Sequence, residues 1–438
     1  MKTNDNARQM ILTTFMLPAG YHKDSWRRPG SRVEEIPGPD FVTDLTRKAE
    51  AAKLHAVFFG DMANADAVLE GDIKMTGFYE PVTTLAALAT ATTHIGLIGT
   101  ISTSFESPYT VARQIAGLDH MSKGRAGWNV VTSGGGFRNY GIGATPSPTE
   151  RYARATEFVE VVQRLWDSWS DDAVIADRDR GMYTDNTRIR ALDHVGKYFS
   201  VQGPMPGPRS PQGRPVIVQA GSSPQGIELG SSTADGIYTA QPRKAPSVEF
   251  YSKMKDLVRS KGRNPEHVKI LPGIVPILGN TLKEAEELSQ ELKNYVNLDT
   301  GRAQLGRSVD IDLTELDLDN PIPGSLFVDK PHLGSRYLLY KHKAVEQGLT
   351  LKEMIVEAAR STGHQAVVGT PEMVADVMID WFEAGACDGF NLNAPYNPGG
   401  FDQMCDLLVP MLQERGYFRE KYEGDTLREN LGLPHPTA

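Results

Sequence analysis

Cysteine is nearly missing from this chain. Cys387 and Cys405 are the 2 in 438 residues, too few for a disulfide framework or a structural zinc site. They read as buried thiols in a reducing compartment. Long apolar runs are also missing: nothing approaches the roughly 18 residues a membrane helix needs. The opening MKTNDNARQM is polar and lacks the apolar core of a secretory signal. A cytoplasmic protein without a membrane partner is expected. Positive charge is short as well. The balance of 46 Lys and Arg against 55 Asp and Glu gives a net −9, a surface that repels phosphate backbones, so no nucleic-acid partner is expected. Walker A, HExxH, CxxC and GxSxG patterns are absent, and the 10 histidines do not fall at metal-ligand spacing. No metal site is expected.

What is present is an alternation. Short apolar runs occur at Ile11–Leu17, Ala56–Asp61, Ile95–Thr103, Arg125–Ser133, Pro215–Gly221, Gly236–Gln241, Val268–Leu278 and Gly389–Ala394. Amphipathic stretches separate them, at Asp40–Leu54, Glu80–Thr92, Pro108–Met121, Thr149–Ser168, Ser223–Ser232, Pro246–Lys261, Thr281–Asn297, Pro371–Ala384 and Phe401–Arg415. Thr149 is the expected N-cap of the fourth helix, and Thr281 with Glu284 reads as a capping box. The strands are almost continuously apolar, as a parallel sheet covered on both faces requires. Eight strands, each followed by a helix, predict an α/β fold of the (β/α)8 TIM-barrel type, one domain over 1–438. Two segments exceed ordinary connections, about 169–214 and 299–369. Both are expected near strand ends as lids or pocket walls, and 195–201 reads as a hairpin. The tail 416–438 is polar and is expected to wrap the surface.

Active sites of such barrels lie at the C-terminal strand ends. Those ends carry Asp61, Thr100 to Ser104, Asn129 to Ser133, Gly221-Ser222-Ser223, Thr239, Gln241 and Asn393 to Asn397. The rim is rich in hydroxyls and amides and poor in charge. It suits an uncharged heterocycle better than hydrolysis. Gly221-Ser222-Ser223 ends a strand and opens a helix, which is a phosphate site or a plain serine cap. Asp61 is a base, a ligand contact or a cap. A glycosidase pair would need a second carboxylate, and only Glu106 is near. Trp128, Trp166, Trp169 and Trp381 read as core.

Several stretches together resemble one family, and they keep its order from about residue 10 to 433. They are Phe15–Pro29 (FMLPAGYHKDSWRRP), Glu80-Pro81, Gly99–Ser104 (GTISTS), Gly124–Ser133 (GRAGWNVVTS), Glu150-Arg151-Tyr152, Gln219–Ser223 (QAGSS), Gly369–Val374 (GTPEMV), Trp381–Asn391 (WFEAGACDGFN) and Asp425–Leu433 (DTLRENLGL). The chain resembles the bacterial-luciferase-like flavin monooxygenases, in the branch of nitrilotriacetate and dibenzothiophene-sulfone monooxygenases. The resemblance implies a two-component monooxygenase. Reduced FMN would arrive as co-substrate from an NAD(P)H-dependent flavin reductase and meet molecular oxygen. A C4a-peroxyflavin would then oxygenate a small organic substrate. The protein would orient the ring and exclude water. A homo-oligomer, dimer or tetramer, is implied as well.

Carried over position by position, Asp61 and Thr103 match places near the flavin ring. Tyr152 matches the tyrosine at the phosphate or ribityl chain, Ser222 and Ser223 the phosphate turn, and Asn129 and Thr132 the end of the fourth strand. No residue is assigned as acid or base. Tyr21, His22, Phe137 and Tyr140 are expected in the substrate pocket, where an aromatic lining would favour an apolar or sulfur-containing substrate over a polyanion. One position departs from the pattern. Pro148 stands where relatives often carry histidine, and it has neither a side-chain donor nor a backbone N–H. The alternatives are hydride transfer with a deazaflavin or flavin on the same barrel, and flavin binding without turnover.

Overall fold

A computed structural model describes residues 8–63, 79–221, 223–328, 330 and 334–438. Eight parallel strands close into a barrel: β1 Ile11–Phe15, β2 Ala56–Phe59, β3 Gly96–Ser102, β4 Ala126–Val131, β5 Val216–Gln219, β6 Gly236–Thr239, β7 Lys269–Leu278 and, past a further strand β8 Gln365–Gly369, β9 Gly389–Leu392. The order runs from β1 to β7 in sequence, then β9, then back to β1. Ile11 pairs with Gly389 and Gly236 with Lys269, so no edge is left open. The fold is the expected (β/α)8 TIM barrel with long insertions. Every residue of β3 is buried, as strands between a filled interior and a ring of helices must be.

The helices start where the sequence places capping chemistry. Glu80 accepts hydrogen bonds from Val82 N and Thr83 N at the head of α2 Pro81–Ala91. The fourth helix differs from expectation by one cap. Ser147, not Thr149, accepts from Glu150 N, because Pro148 takes the first helical position of α4 Pro148–Trp166, where its missing N–H costs nothing. At α7 Leu282–Asn294 only half of the expected capping box forms. Thr281 accepts from Glu284 N, while the Glu284 carboxylate turns to Asn280. The closing helix is interrupted by a π-helical turn at Met404–Leu408. Trp128, Trp166 and Trp381 lie in the core and Trp169 packs against it half-buried. Cys387 and Cys405 are free and buried, and burial pushes the Cys387 thiol up to about 12.

β8 lies inside the second expected insertion and was not legible as a strand. It pairs with the upper half of β7, Ile274 with Gln365 through Leu278 with Gly369. β7 is long enough to serve three partners: Lys269–Pro272 pair with β6, Gly273 and Ile274 with β9, and Ile274–Leu278 with β8. The rest of that insertion is α8 Leu298–Val309, α9 Gly334–Val345 and α10 Leu351–Ser361. These helices share their own apolar cluster, including Leu305, Val309, Tyr340, Met354 and Ile355.

Two expectations about the periphery are overturned. The first insertion does carry the hairpin, His194–Val195 on Ser200–Val201. Its last stretch, however, packs at the opposite end of the barrel from the strand tips: Gln212 Nε2 donates to Asp119 Oδ1 at 2.6 Å and to Ala126 O at 2.9 Å. A connection from helix to strand belongs on that face, so it does not lid the mouth. Nor does the tail merely wrap the surface. Leu427, Leu431 and Leu433 are buried in the barrel interior with Ile98, Val216 and Leu271. A Cβ on Gly96 or Gly127 would meet the Leu427 side chain. A polar average hid a leucine spacing that plugs the barrel from below.

Candidate active site

The strand periodicity of two sends alternate side chains inward. Near the C-terminal ends this brings Phe15, Phe58 and Tyr238 together, with Phe58 lying 4.8 Å from Phe15 and from Tyr238 between ring centroids. The rings form an apolar floor. Around them stand uncharged polar groups. Thr13 Oγ1 donates to Asn391 Oδ1 at 2.9 Å, and Asn391 Nδ2 reaches Asn393 Oδ1 at 3.4 Å. Thr100 Oγ1 donates to Phe59 O and accepts from Asn129 Nδ2, both at 2.9 Å. Asn129 Oδ1 and Asn393 Nδ2 are buried with no partner among the described residues. A buried amide end left open costs stability unless something fills it. Asn129 was expected in the site. Asn393 belongs to the strand-end rim but not to the expected site residues, and the alternation of β9 carried one residue past its end is the signal that places it beside Asn391.

Thr103 is buried, and its hydroxyl donates to Val131 O at 3.2 Å. Thr132 follows β4 half-buried. Asp61 follows β2 and opens to solvent, with Oδ1 accepting from Met62 N at 2.8 Å. Desolvation by the surrounding loops, and then the charge of Glu80, raise its pKa despite that bond.

The turn after β5 is tight. Ser223 caps α5 Pro224–Thr233, its Oγ accepting from Gly226 N at 3.1 Å and donating to Tyr152 Oη at 3.3 Å. A Cβ on Gly226 would lie 2.9 Å from Gly221 Cα and 3.0 Å from Tyr152 Oη. Only glycine fits at either point. Beside the turn, a groove of about 420 Å³ runs between α4 and α5, lined by Tyr152, Thr156, Gln225 and Glu228. Ser223 and Tyr152 therefore come together as expected. Ser222 lies outside the described residues.

The four expected pocket residues fall into two groups. Phe137 and Tyr140 pack on Phe105, with Phe105 and Tyr140 stacked at 4.1 Å, and Tyr140 is 47% exposed. Tyr21 and His22 are buried in the loop after β1. There Gly20, at φ 114, lets the chain touch Tyr396, and the Tyr21 ring lies 5.5 Å from His364. His22 Nδ1 accepts from Asp24 N at 3.3 Å, while Nε2 is buried without a partner among the described residues. Burial, then Arg360 and Lys23, pull its pKa down to about 4.

A family model described as luciferase-like monooxygenase matches residues 14–388. N-acetyl-S-(2-succino)cysteine monooxygenase of Bacillus subtilis (strain 168) is 41% identical over 98% of each chain. Nitrilotriacetate monooxygenase component A of Aminobacter aminovorans is 38% identical, over 98% of this chain and 97% of that one. Among solved structures, a riboflavin lyase with modified FMN and substrate riboflavin superposes with a TM-score of 0.84 at 28% identity, covering 98% of this chain and 96% of that one.

Proposed function

The chain belongs to the luciferase-like monooxygenase family and is a monooxygenase; from that premise we propose that it is the oxygenase of a two-component pair, using reduced FMN from a separate NAD(P)H-dependent flavin reductase. The observation that carries the proposal is the turn after β5. Gly221 and Gly226 approach without side chains, Ser223 caps the helix, and Tyr152 Oη stands over the first turn. A helix N-terminus opened by small residues suits a phosphate monoester. The open amide ends of Asn129 and Asn393 suit a ring that both donates and accepts hydrogen bonds. A similar protein solved with modified FMN supports the same group. The word component in a relative's name supports a reductase partner.

When bound, reduced FMN supplies two electrons to molecular oxygen, so that one oxygen atom enters the substrate and the other leaves as water. The chain's own part is positional. Ser223 and Tyr152 would hold the phosphate, and Asn129 and Asn393 would fix the ring orientation. Phe15, Phe58 and Tyr238 would exclude water from the ring site. Thr103, Thr132 and Asp61 complete the rim on the β2 to β4 side. The named relatives act on unlike molecules, so they do not choose a substrate.

The test is isotopic. Thioethers and aminopolycarboxylates are incubated with the protein, a flavin reductase, NADH, FMN and 18O-labelled oxygen. One labelled atom in a product, absent when oxidised FMN is given without the reductase, is the expected result. Label in no product, with reduced FMN turning over only to hydrogen peroxide, would contradict the proposal.

A further inference from the structure

The molecule carries a net −9, yet one cavity at the barrel mouth is positive. It measures about 250 Å³ and lies between the segment after β6 and the α9–α10 insertion. Its lining holds three permanent cations, Arg243, Lys343 and Arg360, against the single carboxylate of Glu357. His342 also lines it and is paired outward, Nδ1 to Glu346 Oε2 at 2.9 Å. Glu357 is already shared, at 3.0 Å to Lys343 and 2.8 Å to Arg360. Arg243 has no ion pair among the described residues, and Arg360 Nε is buried without a partner there. His364 lines the same cavity and touches the mouth: a Cβ on Gly273 of β7 would fall 2.2 Å from its Nδ1 and 2.9 Å from Asn393 Nδ2. His364 therefore stands between the cavity and Asn393.

Excess positive charge in a partly enclosed space is costly unless an anion shares it. The planar fork of a guanidinium matches a carboxylate edge in particular. We propose that Arg243 and Arg360, with Lys343, form a subsite for a carboxylate of the substrate, which makes this enzyme's substrate a small organic acid. Its being a substrate subsite rests on the flavin reading above; its binding an anion does not. The oxygenated atom would then lie toward the ring, with the acid group held away from it. This reading differs from the sequence expectation of an apolar or sulfur-containing substrate, whose aromatic residues divide between two places.

Calorimetry on the full-length protein tests this, with succinate as probe and its uncharged diamide as control. Succinate should bind saturably, and the diamide about tenfold or more weakly. Arg243→Gln should weaken succinate about tenfold. Arg243 is exposed and has no ion pair among the described residues, so the fold should be kept, and an unchanged melting temperature verifies that. Equal binding of succinate and diamide would overturn the inference, as would a succinate affinity indifferent to Arg243→Gln. A variant that loses FMN but keeps riboflavin would also overturn it, since the guanidinium would then serve the cofactor's phosphate. Should succinate bind as stated while reduced FMN does not bind the wild type, the flavin reading falls and the anion subsite stands.

Discussion

Gly226 concentrates the account at one carbon. In an open helix, glycine to alanine gains about 1 kcal/mol. Here the added methyl would meet Gly221 Cα and Tyr152 Oη at 3.0 Å or less. Gly226→Ala should instead lower the melting temperature and erase the preference for FMN over riboflavin, read by equilibrium binding of the two flavins. Ser223→Ala should do less. It removes a cap worth about 1 kcal/mol and should cut that preference about tenfold, leaving riboflavin binding as it was. His22 gives a pH signature. Its pKa is about 4 in the folded protein and ordinarily about 6.5. The unfolded chain therefore takes the proton first on acidification. The stability tied to neutral His22 is full above pH 6.5 and is lost as pH falls through 4, by about 3 kcal/mol. Buried His55 acts in the same direction. Urea midpoints at pH 7 and 4.5 should lie closer together in His22→Gln than in the wild type; an unchanged gap would mean that His22 is not held neutral.

At the scale of elements, the strands and helices were legible because each barrel strand is an apolar run bounded by glycine, proline or a cap. β8 was not. Its five residues, QAVVG, are no longer than many buried loop ends, and only its pairing with the overlong β7 makes it a strand. The turn proposed to hold the phosphate could be read from Gly221 and Ser223, whereas the companionship of Ser223 with Tyr152 depends on α4 and α5 lying side by side, which no local pattern encodes. The tail shows the opposite failure. Its average polarity concealed Leu427, Leu431 and Leu433, although Thr426 and Glu429 form a capping box that announces the short helix Leu427–Asn430. Leu427→Ala leaves a hole among fully buried neighbours and should cost about 2–5 kcal/mol. Chemical denaturation should report that loss with flavin affinity unchanged, since the plug and the mouth lie at opposite ends of the barrel. A matching loss of flavin affinity would mean that the two ends are coupled.

For the whole molecule, the barrel separates its duties by face. The lower face is closed by the tail and the first insertion, with Arg428 bridging Arg214 O and Asp235. The upper face gathers the turn after β5, the uncharged mouth and the positive cavity under the second insertion. Fold and family follow from the strand count and from motifs kept in order over most of the chain. The acid-binding corner does not, because Arg243 and Arg360 are over a hundred residues apart in sequence and meet only through the insertion. The flavin chemistry proposed for the mouth depends on one binding event there. The direct test is an anaerobic titration of the protein with reduced FMN and, separately, reduced riboflavin. Saturable binding of reduced FMN, at least about tenfold tighter than riboflavin, with the difference abolished in Gly226→Ala, is the predicted result. Equal affinity for the two flavins, or no saturation with reduced FMN, would contradict it.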